Sequence, residues 1–153
     1  MSVHLVIPGR PRPGERAGTT PDGRRYSQEN TLAVQRDVAM AWMTRPEPWR
    51  SPLLECAVAQ SIIHIYRRPS PHFLTGGGLS AEGLRHPFPT TTRADLDNIA
   101  KPILDGLTGK AWRDDRQVCH LTIDKVWDDG RGERTEVRIS PMVPAVALHE
   151  SVA

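Results

Sequence analysis

Residues 53–66, ending Ile62-Ile63-His64-Ile65-Tyr66, restrict this chain more than any other stretch. An apolar run of this length, bounded by prolines and arginines and rich in β-branched residues, belongs to a strand in the middle of a sheet. Whatever else the chain does, it must supply strands to flank that run and helices to cover it.

The rest of the sequence offers those parts. Residues 3–8 (Val-His-Leu-Val-Ile-Pro) read as a short strand. Residues 9–27, rich in Gly, Pro and Arg, read as a loop or arm. A helix is expected over about 28–43, with Ser27 as N-cap and Leu32, Val34, Val38 and Ala41 or Trp42 near helical spacing. Pro46–Pro52 ends it. Residues 67–92 form a long loop in which Gly76–Gly78 reads as flexible linker. From about Asn98 to Leu107 the apolar positions Leu96, Ile99, Ile103 and Leu107 recur at three- and four-residue steps, and Gly109 is a stop signal. Residues 117–127 alternate as a strand, with Cys119, Leu121, Ile123 and Trp127 on one face and His120, Thr122 and Asp124 on the other. Asp128–Gly132 is a turn, and Thr135, Val137 and Ile139 mark a returning strand. The order β-α-β-(long loop)-α-β-β predicts one α+β domain over 1–144, with a mixed sheet, two helices and a C-terminal antiparallel hairpin. Residues 145–153 are expected to be a frayed tail.

A chain of 153 residues has room for one ordinary core. No apolar run approaches the ~20 residues that span a bilayer, and the N-terminus lacks the pattern of a signal peptide. The expected compartment is the cytoplasm. The two cysteines, Cys56 and Cys119, lie in apolar strand-like segments and are expected to be buried free thiols. Charge is unevenly spread. Residues 1–93 hold 12 arginines, no lysine and 7 acids, whereas 94–153 hold 8 basic and 11 acidic residues. Such a division suits a protein that grips phosphates with one half and gathers carboxylates in the other.

Chemistry concentrates in Asp95-Leu-Asp97-Asn98-Ile-Ala-Lys101 and Trp112-Arg-Asp114-Asp115-Arg116-Gln117. On an extended segment Asp95 and Asp97 leave the same face, ~6.5–7 Å apart at the backbone. Like charges that close repel, and a hard divalent cation is the natural compensation. The plainer alternative is that Asp97 or Asn98 caps the following helix. Asp97, Lys101 and Asp105 follow at four-residue steps, opposite the apolar stripe. They are either two solvated ion pairs or a carboxylate–ammonium arrangement aimed at a phosphate. Only three lysines stand against 17 arginines, so a lysine at 101 is a marked choice. Asp114 and Asp115 occupy a turn before a strand and join the site only if the helix returns the chain beside Asp95. Zinc-type spacing of His and Cys, a phosphate-cradling loop and a nucleophile elbow are all missing from the sequence.

With Leu104-Asp105-x-Leu107 and Gln117-Val118 added, and Pro8-Gly-Arg-Pro11 and Gly23-Arg-Arg-Tyr26 near the N-terminus, this pattern resembles the RusA family of Holliday junction resolvases. The resemblance implies a homodimeric, Mg²⁺-dependent endonuclease, with Mn²⁺ as a plausible substitute, acting in the cytoplasm of a bacterial or phage-infected cell. Its partner is branched DNA, four-way junctions above all, nicked symmetrically to leave 5′-phosphate and 3′-hydroxyl ends. Asp95, Asp97 and Asp115 match the family's essential carboxylates, implying metal ligands, and Lys101 matches its essential lysine. Asp114 matches a commonly acidic position, and Asp105 a recurring helix position of structural character. Pro102 departs from a regular helix and is tolerable if the helix begins near Asn98.

DNA is expected to be held by arginines on phosphates, the candidates being Arg10, Arg12, Arg16, Arg24, Arg25, Arg67, Arg68, Arg85, Arg93 and Arg116. Phe73 and Phe88 can stack on unpaired bases or anchor the long loop to the core, the second being favoured. Two other readings share these residues. One is a non-catalytic branched-DNA-binding protein with a structural metal site; the other is a nucleotide hydrolase using Asp-x-Asp.

Overall fold

The computed structural model describes residues 2–26, 28–46, 54–92 and 94–142. Ser27, Arg93 and the tail lie outside these residues, and so do the expected DNA contact and frayed end; the N-cap of the first long helix is Gln28, not Ser27, and makes no capping side-chain bond. Strand β1 (Val3–Pro8) is followed by the short strands β2 (Gly18–Thr19) and β3 (Arg25–Tyr26), which pair with each other. Then come α1 (Glu29–Met43), β4 (Val58–Tyr66), the short helix α2 (Ala81–Arg85), α3 (Leu96–Leu107), β5 (Val118–Trp127) and β6 (Arg134–Pro141).

β4 lies inside a four-stranded sheet of order β1-β6-β4-β5. It pairs antiparallel with β6 and parallel with β5. The mixed α+β architecture matches the sequence, and α2 adds a third helix to the two expected. The C-terminal hairpin does not form: β5 and β6 run in opposite directions but lie on either side of β4. Their connection must cross two strand spacings, roughly 9.5 Å, rather than one. It does so over the end of β4, where the Asp128 N–H donates to the Tyr66 carbonyl at 2.8 Å and the Arg67 N–H to the Glu133 carboxylate at 3.1 Å.

Alternation along β4 sends Val58, Gln60, Ile62, His64 and Tyr66 to one face, where they meet α1 and α3. Val34, Val38 and Trp42 of α1 and Ile99, Ile103 and Leu107 of α3 complete this core, whereas Leu32 is 45% exposed. Each large aliphatic side chain fully buried here contributes ~1.5–3 kcal/mol. The helices cross closely because position 106 is glycine: a Cβ there would run into the Val38 side chain and stand 2.8 Å from the Gln35 carbonyl oxygen. Ala59, Ser61 and Ile63 point to the opposite, less covered face.

Both cysteines are free, as expected, but both are exposed. Cys119 sits where the β4–β5 register shifts between Val58 and Ala59, so it is skipped by the pairing on an edge strand.

The 67–92 segment is a folded lobe. A 3₁₀ turn (Ser70–His72) leads to a Phe73–Leu79 bridge. Gly77 and Gly78 close the turn between them at φ of +96° and +80°, which only glycine adopts freely. Ser80 then caps α2 by accepting the Gly83 N–H. The lobe is pinned to the sheet by the Trp127 indole, which donates to the His86 carbonyl at 2.9 Å, and by Arg68, which donates to the Gly83 and His86 carbonyls. Buried His72 stacks on His86 with ring centroids 5.5 Å apart. Phe73 and Phe88, the expected anchors, are 49% and 62% exposed, because Trp127 and Arg68 do the anchoring.

Candidate active site

Helix α3 organises the site. Asp95 occupies its N-cap position in extended geometry with no capping side-chain bond, and the helix proper starts at Leu96. Neither Asp97 nor Asn98 is the cap, and the Asp-x-Asp pair straddles a helix start rather than running along a strand. Asp95 and Asp97 are exposed and open onto one cleft of about 640 Å³, which Phe88, Asp124 and Lys125 also line. Among the described residues neither carboxylate has a cationic partner within 4 Å.

The next turn carries Lys101. Its ammonium donates to Asp105 at 2.8 Å and stands 3.7 Å from Asp115. Asp105 foremost, and Asp115 after it, hold the lysine above its ordinary pKa, so it stays protonated at neutral pH. The helix does return the chain as the site requires: Asp115, 18 residues beyond Asp97 in sequence, arrives beside Lys101.

Asp114 serves geometry. Its side chain accepts the Arg116 backbone N–H at 2.9 Å and pairs with the Arg116 guanidinium. Arg116 thereby holds the Asp114 carboxyl well below the usual carboxylate range. Gln117 completes the turn, accepting the Arg113 and Asp114 N–H groups while donating to the Leu54 and Cys56 carbonyls. With Trp112 fully buried beneath, this 3₁₀ turn (Asp115–Gln117) fixes where Asp115 begins.

Pro102 is accommodated without the later helix start expected from sequence. A residue at 102 would ordinarily donate to the Asn98 carbonyl, and proline cannot. That carbonyl instead accepts the Gly14 N–H at 2.7 Å. A Cβ on residue 14 would stand 3.0 Å from Pro102 Cγ and 3.1 Å from the Asn98 oxygen, so the approach depends on glycine. The arm is also tied to α1 by the Arg12–Asp37 pair at 2.6 Å and by Glu15 bonds to Asn30 and Thr31. One wall of a groove of about 790 Å³ is therefore arm, with Gly14 and Arg16, facing Asp97 and Lys101 of α3 and Leu121 and Ile123 of β5.

Sequence reasoning missed Lys125. Its ammonium donates to the Ala94 carbonyl at 2.9 Å and to the Thr92 hydroxyl at 3.3 Å, fixing the backbone immediately before Asp95. The signal was present, since Lys125 is one of only three lysines, but its role depends on a strand pairing invisible locally.

The structure sorts the candidate arginines. Arg12, Arg24, Arg85 and Arg116 hold carboxylates of this chain, and Arg68 is engaged with carbonyls and lies over the Trp127 ring. Arg10, Arg16, Arg25 and Arg67 have no carboxylate partner among the described residues.

A family model described as Endodeoxyribonuclease RusA matches residues 8–140, most of the chain. The chain belongs to the RusA family. It is thus an endodeoxyribonuclease of the class that resolves Holliday junctions. Comparison with curated proteins finds no match. Nucleases of this kind generally use divalent metals. Two open carboxylates on one cleft suit Mg²⁺, which is commonly held by one or two carboxylates together with water and substrate phosphate. A ready-made cluster of three or more His, Cys, Asp or Glu ligands does not occur among the described residues, and Asp115 is turned to Lys101.

Proposed function

We propose that this enzyme is a Mg²⁺-dependent, homodimeric nuclease that resolves four-way DNA junctions by paired symmetric nicks, with Mn²⁺ able to replace Mg²⁺. The supporting observation is the pairing of two carboxylates without a cationic partner among the described residues, Asp95 and Asp97, on one cleft, with Lys101 held protonated one helical turn beyond Asp97. Asp95 and Asp97 would hold the ion, with Asp115 as a further ligand. When bound, the ion supplies an activated water and stabilises the leaving oxygen. Lys101 approaches the scissile phosphate and offsets the charge that builds on it, while Asp105 and Asp115 keep the ammonium charged and aimed. Asp114 and Gln117 keep Asp115 in place. Arginines hold the flanking phosphates. Two-fold pairing of protomers would give one site to each of two strands.

The decisive test is cleavage of a synthetic four-way junction and a matched linear duplex, with and without Mg²⁺, by wild type and Asp97→Asn. Paired nicks near the branch, only with metal and only in wild type, are expected. Tight junction binding without nicks under any divalent metal would make the protein a binding module, and equal cutting of the duplex would remove junction selectivity.

A further inference from the structure

At one end of the sheet a pocket of about 390 Å³ lies between the arm, the lobe and the end of β4. Arg10 and Arg67 line it from the arm and the β4 end, Thr91 and Thr92 from the segment before α3, and Tyr66 and Trp127 from the sheet. Glu133 also lines it and accepts the Arg67 backbone N–H, and among the described residues the Arg67 guanidinium has no carboxylate partner. Arg10 likewise has none among the described residues, whereas most of the other candidate arginines have internal partners. Two guanidinium groups with no carboxylate partner among the described residues, beside Thr91 and an aromatic wall, suit one phosphodiester unit of a nucleic-acid strand.

Its position gives the pocket a meaning. Ala94 lines both this pocket and the carboxylate cleft, and Asp97 and Ile123 line both that cleft and the groove with Arg16 and Lys101. The three depressions therefore share lining residues in order: Arg10 and Arg67 stand beside Glu133 in the first, Asp95, Asp97 and Asp124 lie in the middle one, and Arg16 and Lys101 stand beside Glu15 and Asp105 in the last. Lys125 bridges the first two, bonding Thr92 on one side and the carbonyl before Asp95 on the other.

The geometry points to a directional track: the cut strand enters at the Arg10–Arg67 pocket, crosses Asp95 and Asp97, and leaves along the Arg16–Lys101 groove. The pocket takes a phosphate on one side of the scissile bond and the groove takes the phosphates on the other. This rests on the nuclease reading above. It adds the path of the DNA and a phosphate subsite at Arg10, Arg67 and Thr91.

The test combines protein and substrate changes. Junction affinity is measured against salt for wild type, Arg10→Ala, Arg67→Ala and Arg16→Ala, with exposed Arg138→Ala as control. Each of the three track variants should bind roughly 3- to 10-fold more weakly and lower the log–log salt slope by about one, and Arg138→Ala should do neither. Single methylphosphonates are then placed at each phosphate flanking the cut. Arg10→Ala and Arg67→Ala should be insensitive to neutralisation on one side only, and Arg16→Ala on the other side only. Wild-type affinity and slope in both Arg10→Ala and Arg67→Ala would overturn the track while leaving the nuclease intact. So would a loss of sensitivity at the same phosphates in all three variants. A wild-type protein that cuts no DNA would instead remove the nuclease reading, and the track with it.

Discussion

At the β5–β6 connection, Asp128, Asp129 and Glu136 close around Arg134, which is 6% exposed and reaches them at 3.4, 3.1 and 2.7 Å. Arg131 joins from outside and, more than Arg134, holds the Asp129 carboxyl below the ordinary carboxylate range. At the start of α3, Asp95 and Asp97 face solvent with no such partner among the described residues. Both regions are acidic. In the first, the protein neutralises its own carboxylates and gains a fixed crossing over β4. In the second, it leaves the charge open, which is tolerable at an exposed helix start and useful only if something cationic arrives. Acidity in sequence therefore separates into structural and chemical kinds only when the counter-charge is known.

The sharpest way to break this contrast is a pair of substitutions. Asp95→Asn should lower junction cleavage roughly 10³-fold and leave the melting temperature unchanged, since Asp95 makes no capping bond. Arg134→Met should do the opposite, lowering the melting temperature well below that of Arg131→Ala with the remaining folded enzyme still active. A melting loss in the first variant, or an activity loss without a melting loss in the second, would merge the two regions. Next in size, Lys101→Met should lower kcat roughly 10²-fold with little change in KM, as expected for a charge used in the transition state. A KM effect alone would make it a simple binding group.

A third way of handling charge is to prevent it. His64 is 1% exposed, and burial first, then Lys125, lowers its pKa to about 4. The unfolded chain binds this proton near pH 6.5 and the folded chain does not, so stability is fullest above pH 6.5 and falls as pH drops toward 4. The loss is on the order of 3 kcal/mol. Urea unfolding at pH 7 and pH 4.5 should show it, and His64→Gln should have a smaller difference. The smallest effect concerns an uncharged group. Gln60 is 1% exposed, and neither of its amide atoms has a partner among the described residues. Gln60→Leu should stabilise by about 1 kcal/mol in the same measurement, and destabilisation would mean that the amide is satisfied by bound water.

The extent of the fold that could be read from sequence follows the range of the interactions. β1, α1, α3 and the strand character of β4, β5 and β6 were legible because periodicity is local. That β6 leaves β5 and crosses β4 was not, because a turn sequence states that the chain reverses and not how far away it lands. The lobe read as loop because its anchor Trp127 comes from β5, and Arg68 bonds carbonyls 15 and 18 residues further on, beyond the reach of a local pattern. Asp95, Asp97 and Lys101 were legible as one cluster because a single helix start carries them. Asp115 needed the helix to return, and Lys125 needed the parallel β4–β5 pairing.

The bond from Gly14 to the Asn98 carbonyl has a consequence for how the molecule is made. A helix whose ladder is completed by a residue from the other end of the sequence cannot finish forming on its own. Closing that long loop costs chain entropy, so the arm is expected to dock after the helix and sheet have met. Asp97 and Lys101 then gain their full setting only in a chain that is folded from end to end. A nascent or partly opened chain, still lacking the arm, carries the reactive side chains without the wall that lays DNA across them.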